Sequence, residues 1–241
     1  MALLRLNSVQ KSFGAVTVAD QLSYDVLQGE ALGVIGPNGA GKTSMFNLIT
    51  GTLAPDSGQV WFDGHDITAL SSARRCRAGV ARSFQVPQPF SGMTVFENAM
   101  IAATQAARLH GAQAERFCLE VLDQTELLPK ANTLAGRLTL LERKRLELTR
   151  ALCAKPRLLL LDEIAGGLTE AECASLVQTI KDIHDSGVTI IWIEHVVHAL
   201  LAVVDRLIVI DFGKKIAEGA PQAIMASPQV QEIYLGIDVD G

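Results

Sequence analysis

The apolar positions along the chain fall into two rhythms. The runs RLLLLDE (157–163) and VTIIWIE (188–194) are almost continuously apolar, as strands of a parallel sheet covered on both faces are. Shorter β-like runs, EALGVIG (30–36), QVWFDG (59–64) and RLIVIDFG (206–213), complete a series that alternates with helical spacing at 170–185 and 195–203. This β-α-β order predicts an α/β domain with a mostly parallel sheet. The strand-rich opening (3–7, 22–27, 58–63) predicts an antiparallel β edge layer.

Residues 94–153 break the alternation. TVFENAMIAATQAARL and AERFCLEVLDQTELL have helical spacing with no strand signal between them, and Thr94 with Glu97 forms a T-x-x-E capping box at a helix start. The expected organisation is a single domain over 1–241. In it, 1–93 and 154–241 make the core and β layer, and 94–153 makes an inserted all-helical subdomain.

Composition narrows the class. With 241 residues and 49% apolar content, the chain can bury a sizeable core, which excludes disordered and collagen-like polymers. A net charge of −5, with no basic run beyond Arg143-Lys144-Arg145, argues against a general nucleic-acid binder. The longest apolar runs are too short to span a bilayer, and the opening residues lack a signal peptide's apolar segment. A cytoplasmic chain is expected. Cys76, Cys118, Cys153 and Cys173 are scattered without a C-x-x-C pair, and predict buried thiols in a reducing compartment.

Chemistry enters at GPNGAGKTS (36–44), which follows a predicted strand, opens a predicted helix and matches G-x-x-x-x-G-K-[ST]. Gly36, Gly39 and Gly41 let backbone N–H groups wrap phosphates, with Pro37, Asn38, Ala40 and Ser44 completing the nucleotide-binding loop. Lys42 is placed to reach the β- and γ-phosphates and Thr43 to ligate Mg²⁺. Downstream, LLLLDE ends an apolar strand in two carboxylates: Asp162 for the Mg²⁺ shell, and Glu163 to orient or deprotonate the attacking water. These features predict a P-loop NTPase core that takes ATP and Mg²⁺.

SFQ (83–85), LTLLERKRLELTRAL (138–152), LLLLDE (158–163) and IEH (193–195) follow the phosphate loop in a fixed order. In that order the chain resembles the ATP-binding subunits of ABC transporters over essentially its whole length. The resemblance implies that Phe13 in KSFG stacks on adenine, that Gln85 ligates Mg²⁺ and senses a membrane partner, and that His195 contacts the γ-phosphate. It also implies that AGGLT (165–169) couples two sites across a dimer. Plainer readings stand beside these: Phe13 as a core aromatic, His195 as a structural histidine, and Thr169 as a helix cap with Glu172. Gln85 closes the predicted strand GVARSFQ and needs a polar partner.

Within that family, FSGMTVFENAM (90–100), KRLELTRAL (144–152), KKIAEGAPQAI (214–224) and SPQVQEIYLG (227–236) are similar to importers of branched-chain and other hydrophobic amino acids. This implies an ATP-hydrolysing subunit on the inner face of the membrane that pairs with a second ATPase subunit as a homo- or heterodimer. It would dock integral permease subunits near Gln85 and VPQPFSGM (86–93), and the substrate would touch only the permease and a binding protein. No nucleic-acid partner is expected. Two rivals are a soluble ABC-type ATPase without a transport role and a regulatory subunit with weak hydrolysis.

The second rival arises from one segment. Where the family carries L-S-G-G-Q, this chain reads Leu138, Thr139, Leu140, Leu141 and Glu142. By resemblance, the segment contacts ATP held by the opposite subunit. Thr139 keeps a hydroxyl, and Leu141 keeps its backbone N–H provided its φ is negative. Thr139-x-x-Glu142 is also a capping box and predicts a helix from 140, so capping alone is an alternative role. Glu142 adds negative charge next to a polyanion, which Arg143, Lys144 and Arg145 are expected to offset.

Overall fold

The computed structural model describes residues 1–235. The chain opens with two long antiparallel strands, β1 (Ala2–Phe13) and β2 (Val16–Leu27), followed by β3 (Ala31–Ile35), α1 (Lys42–Thr50), β4 (Ser57–Phe62), β5 (His65–Asp66), α2 (Ser72–Ala78) and β6 (Val80–Arg82). Three helices follow, α3 (Val95–Gln105), α4 (Gly111–Gln124) and α5 (Leu140–Cys153), with two short 3₁₀ turns between the last two. The rest alternates: β7 (Leu158–Asp162), α6 (Glu170–Asp185), β8 (Thr189–Ile193), α7 (Val197–Leu201), β9 (Arg206–Asp211), β10 (Lys214–Gly219), α8 (Pro221–Met225) and α9 (Pro228–Leu235).

Two sheets result. One is antiparallel in the order β2-β1-β4-β5; the other runs β10-β9-β3-β8-β7-β6. In the larger sheet β6, β7, β8, β3 and β9 are parallel, and β10 returns antiparallel at the edge. The unbroken apolar runs follow from the two faces of this sheet. Leu159, Leu161, Ile190 and Trp192 pack into a core shared with α5, α6 and α7, whereas Leu158, Leu160, Ile191 and Ile193 pack into a core shared with α1 and the antiparallel layer. Every residue of β3, β7 and β8 is buried. Each large apolar side chain so covered contributes about 1.5–3 kcal/mol.

Helices α3, α4 and α5 pack on one another and carry a small core of their own, Val95, Leu122, Leu127, Ala135, Leu138 and Leu146. The Thr94 capping box forms as expected, with Thr94 and Glu97 exchanging backbone and side-chain bonds. An isolated antiparallel bridge between Thr94 and Leu134 closes this unit. Cys118, Cys153 and Cys173 are buried free thiols and Cys76 is partly exposed.

Two boundaries differ from the sequence reading. The strand expected over GVARSFQ ends at Arg82, because the chain leaves the sheet once Ser83 N bonds to the Leu160 carbonyl; Gln85 lies beyond its end. The helix expected over 195–203 contracts to α7. The end of the expected domain, 236–241, and Gly236 of SPQVQEIYLG lie outside the described residues. Among the described residues no helix is long and apolar enough to cross a membrane.

Candidate functional site

The carboxyl ends of β3, β7 and β8 lie side by side, so the loops that follow them meet. After β3 the chain turns through residues 36–41 into α1, with Gly41 as its left-handed N-cap at φ 103°. A side chain at Gly36 would collide with the Ile210 carbonyl and one at Gly41 with the Val18 carbonyl, so close backbone approach fixes glycine at both. The start of α1 thus presents unpaired N–H groups and the positive end of its dipole. Lys42 is buried, and its Nζ donates to the carbonyls of Gly36 at 2.6 Å and Pro37 at 2.9 Å. Burial holds its pKa below the usual lysine value, opposed by Glu163 and Asp162.

After β7 the two carboxylates diverge. Asp162 is 2% exposed and accepts from Arg82 Nη2 at 2.5 Å on Oδ2; among the described residues its buried Oδ1 has no hydrogen-bond partner. Burial pushes its carboxyl up, with Arg82 pulling the other way. Glu163 takes a left-handed backbone, φ 46°. Such a conformation costs a non-glycine residue about 1–3 kcal/mol and persists only where its surroundings impose it. Here Glu163 N donates to the Ile193 carbonyl at 2.8 Å, and Lys144 Nζ reaches the Glu163 carbonyl at 3.4 Å. The turn carries the Glu163 carboxylate out of the sheet. Its Oε2 accepts from Gln85 Nε2 at 2.5 Å, and its Oε1 lies 3.0 Å from His195 Nε2.

A cleft of about 620 Å³ brings residues 38–44 together with Gln85, Glu163 and His195. Segments far apart in sequence therefore meet at one opening. Thr43 faces it and is exposed. Phe13 is not among the residues that line it. It stands 54% exposed at the end of β1, with Lys11 Nζ 5.4 Å from its ring centroid, so the core reading of Phe13 fails. Val18 on β2 lines the cleft instead.

A Mg²⁺ ion fits this donor set. It is typically held by one or two carboxylates and the substrate's phosphates, and the unpaired Asp162 Oδ1 and the Thr43 hydroxyl are hard oxygens of that kind. Clusters of three or more His, Cys, Asp or Glu that would hold a metal without nucleotide do not occur among the described residues.

Comparison with known proteins identifies the family. Residues 19–166 match the ABC transporter family model. The chain belongs to the ABC transporter ATP-binding family. Residues 214–240 also match a model described as branched-chain amino acid ATP-binding cassette transporter. The chain is 32% identical to the high-affinity branched-chain amino acid transport ATP-binding protein BraF of Pseudomonas aeruginosa, covering 97% of this chain and 98% of BraF. It is equally 32% identical to the lipopolysaccharide export system ATP-binding protein LptB of Acidithiobacillus ferridurans, over 97% of each. A crystal structure of a nucleotide-free ATP-binding cassette from an ABC transporter superposes with a TM-score of 0.90 at 30% identity, over 98% of this chain and 100% of that one. The protein is an ATP-binding subunit of an ABC transporter, an ATPase coupled to transport.

The segment in this ABC subunit where the family carries its glycine-rich signature is a helix start. Thr139 caps α5: its hydroxyl accepts from Glu142 N at 3.4 Å, and Glu142 Oε2 accepts from Thr139 N at 2.9 Å. Leu140 and Leu141 begin the helix without positive φ, which explains how leucine replaces glycine here without backbone strain. Leu140 is 45% exposed and lies beside Gly167 in the loop after β7. The segment does not line this chain's own cleft.

Glu142 has a direct ion-pair partner outside the expected Arg143, Lys144 and Arg145, of which Arg143 is exposed and donates Nε to the Leu138 carbonyl at 2.9 Å. Glu142 pairs with Lys130 at 3.1 Å, while Lys144 is buried beneath Glu163 and Arg145 is bound to Glu126 and Ser175 Oγ. Helix spacing turns 144 and 145 towards the core, away from 142. The Thr139 backbone N–H, with Lys130, holds the Glu142 carboxyl below the usual range. Thr169 caps α6 with Glu172, as its plainer reading expects.

Two residues escaped the sequence reading. Glu194, 1% exposed, accepts from Ala165 N at 2.9 Å and His195 N at 3.0 Å, tying the loop after β7 to the end of β8. Its signal was available: a carboxylate directly after an apolar strand, as in LLLLDE. Arg82 gave none, because a single arginine at a strand end is ordinary.

Proposed function

We propose that this subunit powers an importer of branched-chain or related hydrophobic amino acids. The observation that carries the substrate class is the match of 214–240 to the branched-chain amino acid model, supported by the similarity to BraF. The similarity to LptB favours an export-type cassette as a second reading.

In the proposed cycle, residues 36–44 bind the ATP phosphates through backbone N–H groups, and Lys42 exchanges the loop carbonyls for phosphate oxygens. Mg²⁺, when bound, neutralises charge on the β- and γ-phosphates; Thr43, Asp162 and Gln85 are the residues to hold it. Glu163 orients and deprotonates the attacking water. Gln85 and His195 grip opposite oxygens of its carboxylate and set its aim. His195 then contacts the γ-phosphate, and Phe13 stacks on adenine from the exposed end of β1.

Thr139 and the first N–H groups of α5 meet the ATP of a second cassette, so the missing glycines alter the partner's site and not this chain's own. The permease docks on a cleft of about 450 Å³ beneath Phe84 and Phe90, where Phe84, Val86 and Phe90 expose apolar surface. The subunit accordingly works on the cytoplasmic face of the membrane, and its substrate meets only the permease and binding protein.

Co-expression with permease subunits and a binding protein in inside-closed vesicles tests this. ATP-dependent uptake of labelled leucine or isoleucine, lost in Glu163→Gln, is expected. Uptake unchanged in that variant would remove the enzyme from the transport cycle, and lipid-linked glycan extraction in place of amino-acid uptake would favour the export reading.

A further inference from the structure

Arg82 is the last residue of β6, and its side chain is 8% exposed. It bonds to two elements at once. Nη1 donates to Asn47 Oδ1 on α1 at 2.6 Å, and Nη2 donates to Asp162 Oδ2 at the end of β7 at 2.5 Å. The guanidinium lies over two aromatic rings, 5.4 Å from the Phe46 centroid and 5.2 Å from that of Phe84. Cation–π contact on two rings fixes its plane, and the planar fork fixes the angle between its two arms.

The two elements it joins are those of the nucleotide site: α1 carries the end of the phosphate loop, and β7 carries the paired carboxylates. We propose that Arg82 is a positioning residue for metal-bound nucleotide. It occupies Asp162 Oδ2, leaves the partnerless Oδ1 as the oxygen for the metal's shell, and fixes the distance from Asp162 to α1. The inference rests on the Mg²⁺ role proposed above. Lysine supplies the charge without the fork, so it keeps one of the two bonds at most. Residues that orient a metal ligand from behind typically change metal affinity by about 10–100-fold when removed.

Binding of a fluorescent, slowly hydrolysed ATP analogue tests this in the intact chain, first in EDTA and then across a Mg²⁺ series. In EDTA, binding by the phosphate loop reports that each variant is folded. In Arg82→Met, the Mg²⁺ concentration giving half of the affinity gain is expected to rise about 10–100-fold, and in Arg82→Lys by an intermediate factor. A wild-type midpoint in Arg82→Met overturns the proposal. If Arg82→Met binds nothing in EDTA and has lost its fold, Arg82→Lys decides: a raised midpoint supports the proposal and an unchanged one overturns it. A wild type with no Mg²⁺-dependent gain defeats the metal role itself, and the inference with it.

Discussion

Gln85 donates a 2.5 Å hydrogen bond to Glu163 across 78 residues of sequence. The opposite oxygen of the same carboxylate lies 3.0 Å from His195. Glu163 is thus gripped from the loop that leads to the apolar cleft and from the loop after β8. Its carbonyl is reached by Lys144 of α5, and its φ of 46° is enforced by these neighbours. A change in any of these loops is felt at one carboxylate.

Removing either grip should lower turnover more than it weakens nucleotide binding. Gln85→Ala and His195→Ala are each expected to reduce kcat by about 10–100-fold, the scale of a lost orienting contact, with a KM for ATP within a few-fold of wild type. Steady-state ATPase assays over an ATP series separate the two parameters. A rise in KM at constant kcat would assign these residues to uniform binding.

Glu142 makes stability depend on pH in a defined window. Its folded pKa lies below the ordinary glutamate value of 4.5 because Thr139 N and Lys130 favour the carboxylate. Its contribution is therefore complete above about pH 4.5 and disappears as pH falls through the lower folded value. Thermal unfolding of wild type and Glu142→Gln at a series of pH values should give Tm curves that are separate at pH 6 and converge on acidification. Parallel curves would show that the charge of Glu142 contributes nothing.

The capping and phosphate roles of Thr139 can be separated. Thr139→Ala should cost about 1 kcal/mol, a Tm decrease of about 2–4 °C for a domain of this size. Thr139→Asn keeps a capping oxygen and should restore most of that loss. If ATPase activity tracks Tm through this series, capping is the whole role; a loss in Thr139→Asn despite restored Tm marks a hydroxyl that touches the partner's ATP.

Glu194→Ala removes the acceptor for the buried Ala165 N–H and the part-buried His195 N–H. Orphaning the buried Ala165 N–H costs about 1–3 kcal/mol. Calorimetry should show a clear fall in Tm, and hydrogen exchange should show faster exchange at 165–168. Unchanged exchange there would mean that the loop is held by other contacts.

The fold was legible because both faces of one sheet are covered: a strand such as LLLL, with Leu159 and Leu161 on one core and Leu158 and Leu160 on the other, leaves an uninterrupted apolar run. Capping boxes at Thr94, Thr139 and Thr169 were legible for a similar reason, since both partners lie within one turn. What the sequence hid was lateral. Arg82 meets Asp162 through the pairing of neighbouring strands, and Glu142 finds Lys130 across a turn and not its basic neighbours 143–145. The end of β6 was also hidden, because apolar and polar residues continue past Arg82 with no break in pattern. Such contacts depend on register and rotation, which periodicity alone does not encode.

The central claim is that the Glu163 carboxylate, held by Gln85 and His195 over the phosphate loop, performs the water-activating step. Its most direct test is the ATPase rate of Glu163→Gln beside wild type at saturating Mg²⁺ and ATP, with ATP binding measured on the same samples. The expected result is a rate lowered by about 10²–10⁴-fold with binding retained. Equal rates in the two proteins would contradict it.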